Sequence, residues 1–573
     1  MTRTEYAGLL RLPYGYHTGS GRALSGPDSP LFRDHEGRLE LSGSALAGLL
    51  RADMERLSRA QGEVCLGRVG ECDPPREDRV PSKCRCRVCR LMGPRAGRGA
   101  RAEGAEGLHA SRLYVSGDHA AASPGSRIRD HVGIDRRSGA AASERKYDVE
   151  LVDAQIEFPF RLRLDAVEQL DDARRLLEAT LHRLVRGWLF AGGRRASGQG
   201  LARLVSLTRT EVDLADRGHL IAYLLGDGLS AVGTPLALVD GDKDDLLPDP
   251  GPPPLLHGEG PERAGAAPVA WGQLRLGLVL RFSLPVLVND PAEAARTGWD
   301  HSHVRRSDGL PILPGSSVRG VLRSRVEQIL RSLDGFACDL HRRSEACHER
   351  LDPPPVAGED ETDQPQRCGL EKEYEGMCLA CRLFGCGRLA SSVRVTDFHA
   401  VEEGRALGQD FVAVDRFTGG TAPGAKFDAR GQTGVTFAGQ LHVDLGDDRD
   451  AGTGVGPVGL GLLALAIRDL LLGDLAIGSG TAKGFGEHRT TIESAAWYWL
   501  RRPPAFGGHD GASGAIEEGE WPPPGPDGSP PGGVSTPAEA RSALGGWAAR
   551  LEEWVRTATE AAAERPGAPE RVA

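Results

Sequence analysis

No stretch of the chain approaches the ~20 consecutive apolar residues of a membrane-spanning helix. The opening MTRTEYAGLLRL lacks the apolar core of a secretion signal. These absences predict a soluble, cytoplasmic chain with no membrane partner. Neither a P-loop sequence nor an HExxH motif occurs, so no nucleotidase or zinc protease is indicated.

What is present is long and loop-rich. A length of 573 residues predicts three or four domains. Hydrophobic content of 40% is globular, and 77 Gly with 38 Pro mark many connections. The 11 Cys are clustered, which in a reducing compartment points to metal rather than disulfides. The net charge of −10 hides an asymmetry. Basic residues are in excess before residue 205 and acidic ones after it, above all at Asp240–Asp249 and beyond Leu351. Net charge therefore neither argues for nucleic-acid binding nor excludes it, because local potential decides.

One stretch occurs twice. Asp28-Ser-Pro-Leu-Phe-Arg-Asp-His-Glu-Gly runs through Leu41-Ser-Gly-Ser-Ala-Leu to Arg51. Asp300-His-Ser-His-Val-Arg-Arg-Ser-Asp-Gly runs through Leu313-Pro-Gly-Ser-Ser-Val to Arg323 without a gap. Each reads as a loop with an Asp, a turn at Gly37 or Gly309, a short apolar strand and a helix start. Ser44 or Ser316 can cap the helix, whose first N–H groups lack partners. Small residues there let a phosphate approach, and the helix dipole favours its charge. Leu46, Leu50, Met54 and Leu57 share one helical face, as do Val318, Leu322, Val326 and Ile329. A capped core helix is the plain alternative; recurrence with the Asp at the same distance favours function.

Further landmarks repeat in order. Cys72-x11-Cys84-x-Cys86-x2-Cys89 before Arg-Leu-Met-Gly93 is matched by Cys378-x2-Cys381 before Arg-Leu-Phe-Gly385. His131-Val-Gly-Ile-Asp-Arg136 matches Phe411-Val-Ala-Val-Asp-Arg416, each opening a hairpin-like excursion. Gly192–Gly200 matches Gly478–Gly486. Ordered matching means tandem domains. Cys72, Cys84, Cys86 and Cys89 can surround a structural Zn²⁺, with Cys65 competing. Cys347, Cys368, Cys378 and Cys381 can do the same in the second copy, with Cys338, Cys386 and His348 in reserve. The Gly-rich loops could equally be tight strand connections, but Arg194, Arg195 and Lys483 beside them favour contact with RNA backbone. Residues 503–540 are Pro/Gly-rich and read as disordered. Trp547, Leu551, Trp554 and Val555 form an apolar stripe at helical spacing.

With these landmarks the chain resembles the RAMP superfamily of CRISPR proteins, specifically type III effector backbone subunits, over roughly 5–207 and 271–497. The resemblance implies an α+β fold of two tandem modified ferredoxin-like domains, similar to RNA-recognition motifs. Each would carry a zinc-binding insertion and a β-hairpin thumb, near 118–150 and 397–436. The domains would be 1–210 and 271–500, with a linker at 211–270 and a tail at 501–573. The implied partners are CRISPR guide RNA, target RNA and other type III effector subunits. The implied reaction is cleavage of target RNA beside flipped-out nucleotides by Asp28 and Asp300, with Mg²⁺ or another divalent cation. Ser42, Gly43, Ser44 and Arg51, and Gly315, Ser316, Ser317, Arg319 and Arg323, would hold RNA backbone. Arg136, Arg137 and Arg416 would meet phosphates from the thumbs.

The second loop reads Trp299-Asp-His-Ser where the family has Asp-Asn/Ser-Pro, which leaves His301 and His303 as substitutes or bystanders. One alternative is a guide-holding scaffold with inert Asp loops. Another is an endonuclease that processes precursor guide RNA and needs a His near a Gly-rich loop. His488 lies there, but the first copy has no counterpart.

Overall fold

The computed structural model describes residues 2–21, 27–61, 86–93, 111–122, 124–136, 138–166, 170–226, 229, 232–240, 271–333, 335–339, 346–347, 374, 376–387, 389–446, 454–501 and 517–521.

The first repeat opens with β1 (Thr2–Leu12), then β2 (Glu40–Leu41), α1 (Gly43–Ala60) and a short α2 (Arg87–Met92). β3 (Leu113–Val115) and β4 (Asp118–His119) precede a hairpin of β5 (Arg127–Ile134) and β6 (Ala141–Leu151). β7 (Ile156–Ala166), α3 (Asp171–Val185), β8 (Leu189–Phe190) and β9 (Leu201–Asp213) complete it. The sheet order β9-β1-β7-β3 is the 4-1-3-2 order of a βαββαβ ferredoxin-like unit. The cysteine segment is inserted between α1 and β3, and the hairpin between β3 and β7. Alternation explains the strands: Ile156, Phe158, Phe160, Leu162 and Leu164 of β7 all turn inward. Leu46, Leu50, Met54 and Leu57 of α1 are buried against them, as their spacing predicts.

α4 (Arg217–Leu225) and β10 (Leu236–Asp240) follow, and β10 pairs with β9. The linker thus lends an edge strand to the first sheet.

The second repeat has the same order: β11 (Trp271–Phe282), then α5 (Pro291–Thr297), β12 (His301–Ser302), β13 (Ile312–Leu313) and α6 (Gly315–Ser332). α7 (Leu379–Phe384), β14 (Val393–Val395) and β15 (Phe398–Glu402) lead to its hairpin, β16 (Arg405–Val414) and β17 (Thr421–Thr433). β18 (Val435–Leu445), α8 (Pro457–Leu472), β19 (Arg489–Arg501) and β20 (Glu517–Trp521) close it. On α6 the buried stripe is Val318, Leu322, Val326 and Leu330. Ile329 is only partly covered, because a run of four-residue steps drifts around the helix. Residues 503–540 are not wholly without structure: β20 pairs with β19 as an edge strand. The apolar stripe from Trp547 to Val555 lies outside the described residues.

The repeats share a boundary. The first core continues onto Trp271 and Tyr498 of the second sheet. Buried Arg183 of α3 pairs with Asp53 at 3.0 Å and donates to Gln273 Oε1 at 2.6 Å. Among the described residues no helix is long and apolar enough to cross a membrane.

Candidate functional site

Each repeated Asp is locked to the returning strand of its own hairpin. The Asp28 backbone N–H donates to Asp148 Oδ1 at 2.6 Å, and the Asp148 N–H donates to Asp28 Oδ2 at 3.0 Å. In the second repeat the Asp300 N–H donates to Asp428 Oδ1 at 2.8 Å, and the Asp428 N–H to Asp300 Oδ2 at 2.9 Å. The same two-way bond is therefore built twice, from residues more than a hundred positions apart. Short parallel bridges continue it, Ser29 to Val149 and His301 to Ala429. Asp28 and Asp300 are exposed, and each corner presents two carboxylates at the hairpin base.

The residue before each second Asp is aromatic. Tyr147 stacks on its cross-strand neighbour His131 at 5.1 Å, and Phe427 stacks on Phe411 at 5.0 Å. A cation from the Gly-rich loop lies over each pair. Arg194 is 4.7 Å from the Tyr147 ring, and Lys483 Nζ is 4.2 Å from the Phe427 ring. Arg194 holds φ 53°, in the left-handed region that a side chain adopts at a cost. The second loop has Gly480 (φ 77°) opening its 3-10 turn where the first has Arg194, and takes its cation three residues later. The corner thus joins negative carboxylates, an aromatic wall and one fixed cation, a set that suits a phosphodiester and its 2′-hydroxyl.

Histidines enter each corner by different routes. His17 Nδ1 faces the Glu150 carbonyl at 2.8 Å, so that nitrogen carries the proton. Nε2 then accepts from the Ser29 hydroxyl at 3.2 Å, beside Asp28. Burial pushes the His17 imidazole below its ordinary pKa, and likewise lowers His131 to about 4. In the second repeat His301 lies edge-on to Phe427 at 5.7 Å. His303 is structural: Val288 N–H donates to its Nδ1 at 3.1 Å, and its Nε2 donates to the Ile312 carbonyl at 3.1 Å. Burial lowers its pKa to about 3.

The two helix N-termini differ. Ser42, not Ser44, caps α1, accepting from the Ala45 N–H at 3.3 Å. Gly43, Ser44, Gly48, Arg51 and Met92 line a cleft of about 410 Å³ beside it. Pro314 holds the cap position of α6, and Ser316 makes no cap bond. There the Gly315 N–H donates to Asp397 Oδ1 at 2.8 Å. Asp397, fully buried, also accepts from Arg129 at 2.7 Å and Gln199 at 3.0 Å, both from the first repeat. The turn Arg195–Ser197 packs on β14 and α6. The α6 end is thus occupied by protein, whereas the α1 end is open.

The arginines on these helices point at the cysteine modules. Arg51 donates to the Met92 carbonyl at 3.0 Å and to that of Gly93. Arg319 donates to the Phe384 carbonyl and Arg323 to that of Gly385 at 2.9 Å. Arg136 is not free for phosphate either; its Nε lies 3.1 Å from Glu327 in the second repeat. Arg416 is exposed at its hairpin, as is Lys483, while Arg137 lies outside the described residues.

Cys338, Cys347, Cys378 and Cys381 are buried with their sulfurs all within 4.8 Å of one another. Tetrahedral zinc with Zn–S of about 2.3 Å needs sulfurs about 3.8 Å apart, so the donor set fits zinc with no ligand position to spare. Cys338 takes the place that spacing gave to Cys368, which lies outside the described residues with His348. Spacing cannot decide this, since both flank the same CxxC pair. Cys386 stands outside the four. In the first repeat Cys86 and Cys89 are buried at the matching knuckle, with the Cys89 N–H 3.4 Å from Cys86 Sγ. Cys65, Cys72 and Cys84 lie outside the described residues.

Motif and spacing did not single out Asp148, Asp428 or the rings of Tyr147 and Phe427. Their signal was the recurrence of Tyr147-Asp148 and Phe427-Asp428 on corresponding strands.

Two tandem ferredoxin-like domains with hairpin insertions and cysteine knuckles define the chain as an α+β protein built from one repeated unit. The family profile of the RAMP superfamily matches residues 10–203 and 254–488, and the chain belongs to that superfamily. It is 31% identical over 91 residues to the CRISPR system Cms endoribonuclease Csm3 of Methanocaldococcus jannaschii. The match covers 15% of this chain and 33% of that protein.

Proposed function

We propose that this chain is a double backbone subunit of a type III CRISPR effector complex, holding guide RNA and cutting complementary target RNA once per repeat. The observation that carries this reading is the twin corner: Asp28 with Asp148 under Arg194, and Asp300 with Asp428 under Lys483. RNA strand scission needs the 2′-oxygen in line with the adjacent phosphorus. A nucleotide splayed at the hairpin base reaches that geometry. The cation holds a phosphate oxygen, and the first Asp takes the 2′-hydroxyl proton as the P–O5′ bond breaks. The products are a 2′,3′-cyclic phosphate and a 5′-hydroxyl; solvent water protonates the leaving oxygen and the Asp returns its proton to solvent, so atoms and charge balance. A divalent cation would be held by the two carboxylates together with RNA phosphate, and would supply charge neutralisation.

A scaffold reading has one specific support: an oxygen of Asp28 and of Asp300 already holds the hairpin backbone. Asn retains that acceptor and removes the charge. The test is therefore Asp28→Asn and Asp300→Asn in the assembled guide complex with Mg²⁺, mapping product ends. Loss of one distinct cut per substitution, with guide binding intact, supports catalysis. Undiminished cutting by the double Asn variant would make the corners purely structural.

A further inference from the structure

A continuous line of buried polar contacts runs from the second repeat's cysteines into the first repeat's hairpin. Arg323 Nη2 lies 3.5 Å from Cys381 Sγ, and its Nη1 donates to the Gly385 carbonyl at 2.9 Å. Its Nε pairs with Glu327 Oε1 at 2.9 Å. The other Glu327 oxygen faces Arg136 Nε at 3.1 Å, across the repeat boundary. Glu327 is fully buried and Arg323 nearly so. Arg331 approaches the same carboxylate at 3.7 Å.

We propose that Arg323, Glu327 and Arg136 are the outer shell of the four-cysteine centre, so that zinc binding in the second repeat and docking of the first repeat's hairpin are one linked equilibrium. The inference rests on zinc at Cys338, Cys347, Cys378 and Cys381, and is independent of RNA cleavage. The physics is that of outer-shell support: a ligand sulfur is oriented by Arg323, Arg323 by Glu327, and the buried Glu327 carboxylate is shared with Arg136 and Arg331. Linkage is reciprocal. If zinc orders the platform on which Arg136 docks, docking of Arg136 tightens zinc by the same factor. The second hairpin offers the internal control, since Arg416 at the matching position is exposed.

The experiment uses the full chain loaded with Zn²⁺ and titrated with a chelator. Alkylation of the Cys378–Cys381 peptide, read by mass spectrometry, reports this site separately from Cys86–Cys89. Arg136→Ala is expected to weaken zinc at Cys378–Cys381 by about 5- to 10-fold, with Cys86–Cys89 unchanged and Arg416→Ala without effect. Stripping zinc is expected to raise deuterium uptake over residues 127–151 but not over 405–433. Zinc held as tightly by Arg136→Ala as by wild type overturns the proposal. So does unchanged uptake over 127–151 in stripped protein whose sheets remain protected. If stripping unfolds the second repeat throughout, the Arg136→Ala titration by itself upholds or overturns the linkage.

Discussion

In the first repeat the cation above the hairpin ring is Arg194, held at φ 53°; in the second, Gly480 opens the turn with φ 77° and Lys483 supplies the charge. Tyr147 on His131 becomes Phe427 on Phe411. His17 reaches the first corner through Ser29, whereas His301 stands beside Asp300 itself. What stays constant is the two-way Asp lock. A corner kept through such exchange is defined by charge and geometry rather than by residue identity. The docking faces diverge further. The α6 end meets Asp397, Arg129 and Gln199, while at α1 Gly117, which has no side chain to offer, lies against Gly43 and the helix lines an open cleft.

The sharpest way to break the equivalence is at the carboxylates. Asp28→Asn and Asp300→Asn are each expected to slow their own cut by about 10²- to 10⁴-fold and leave the other unchanged, as measured by product mapping. An effect confined to Asp28 would make the second corner structural.

Next comes the boundary. Arg129→Ala leaves Asp397 buried with its charge uncompensated, a loss of about 3–5 kcal/mol. Gln409→Ala, at an exposed position of the second hairpin, should stay within about 0.5 kcal/mol. Paired denaturant melts measure both, and equal losses would deny that the first hairpin is docked.

The Gly-rich loops give a smaller contrast of opposite sign. Arg194→Gly is expected to stabilise the fold by about 1 kcal/mol while slowing only the first repeat's cut. Gly480→Ala should destabilise by about 1 kcal/mol. Thermal melts with cleavage assays separate the two effects.

Acid should act on both repeats at once, through their buried imidazoles. Burial holds His131 and His399 at about 4, and His303 at about 3, against an unfolded value near 6.5. The unfolded chain then binds more protons below pH 6.5, so stability falls as pH drops from there towards 4. His303→Gln should flatten that slope in denaturant melts; an unchanged slope would place the acid sensitivity elsewhere.

The strands, helices and tandem order were legible because alternation and helical spacing are local. Leu46 to Leu57 could be assigned to a core face without any partner in view. The Asp loops were legible because they recur. Their partners Asp148 and Asp428 were not, since a backbone N–H offered by a distant strand leaves no spacing to read. Nor was the role of Arg136, Arg319 and Arg323, which resemble phosphate ligands until their buried acceptors are known. Spacing put Cys368 before Cys338, yet Cys338 is the one found in the buried four-cysteine group, and Cys368 lies outside the described residues.

By itself, then, the sequence determined the repeat, the knuckles and the two exposed aspartates, all set by short-range pattern. Only the tertiary structure decided which groups meet: the carboxylate pairs, the ring and cation above them, and the Arg136–Glu327–Arg323 line to Cys381. Those depend on desolvated charges finding partners across chain separations of tens to hundreds of residues, and periodicity carries no record of such pairing.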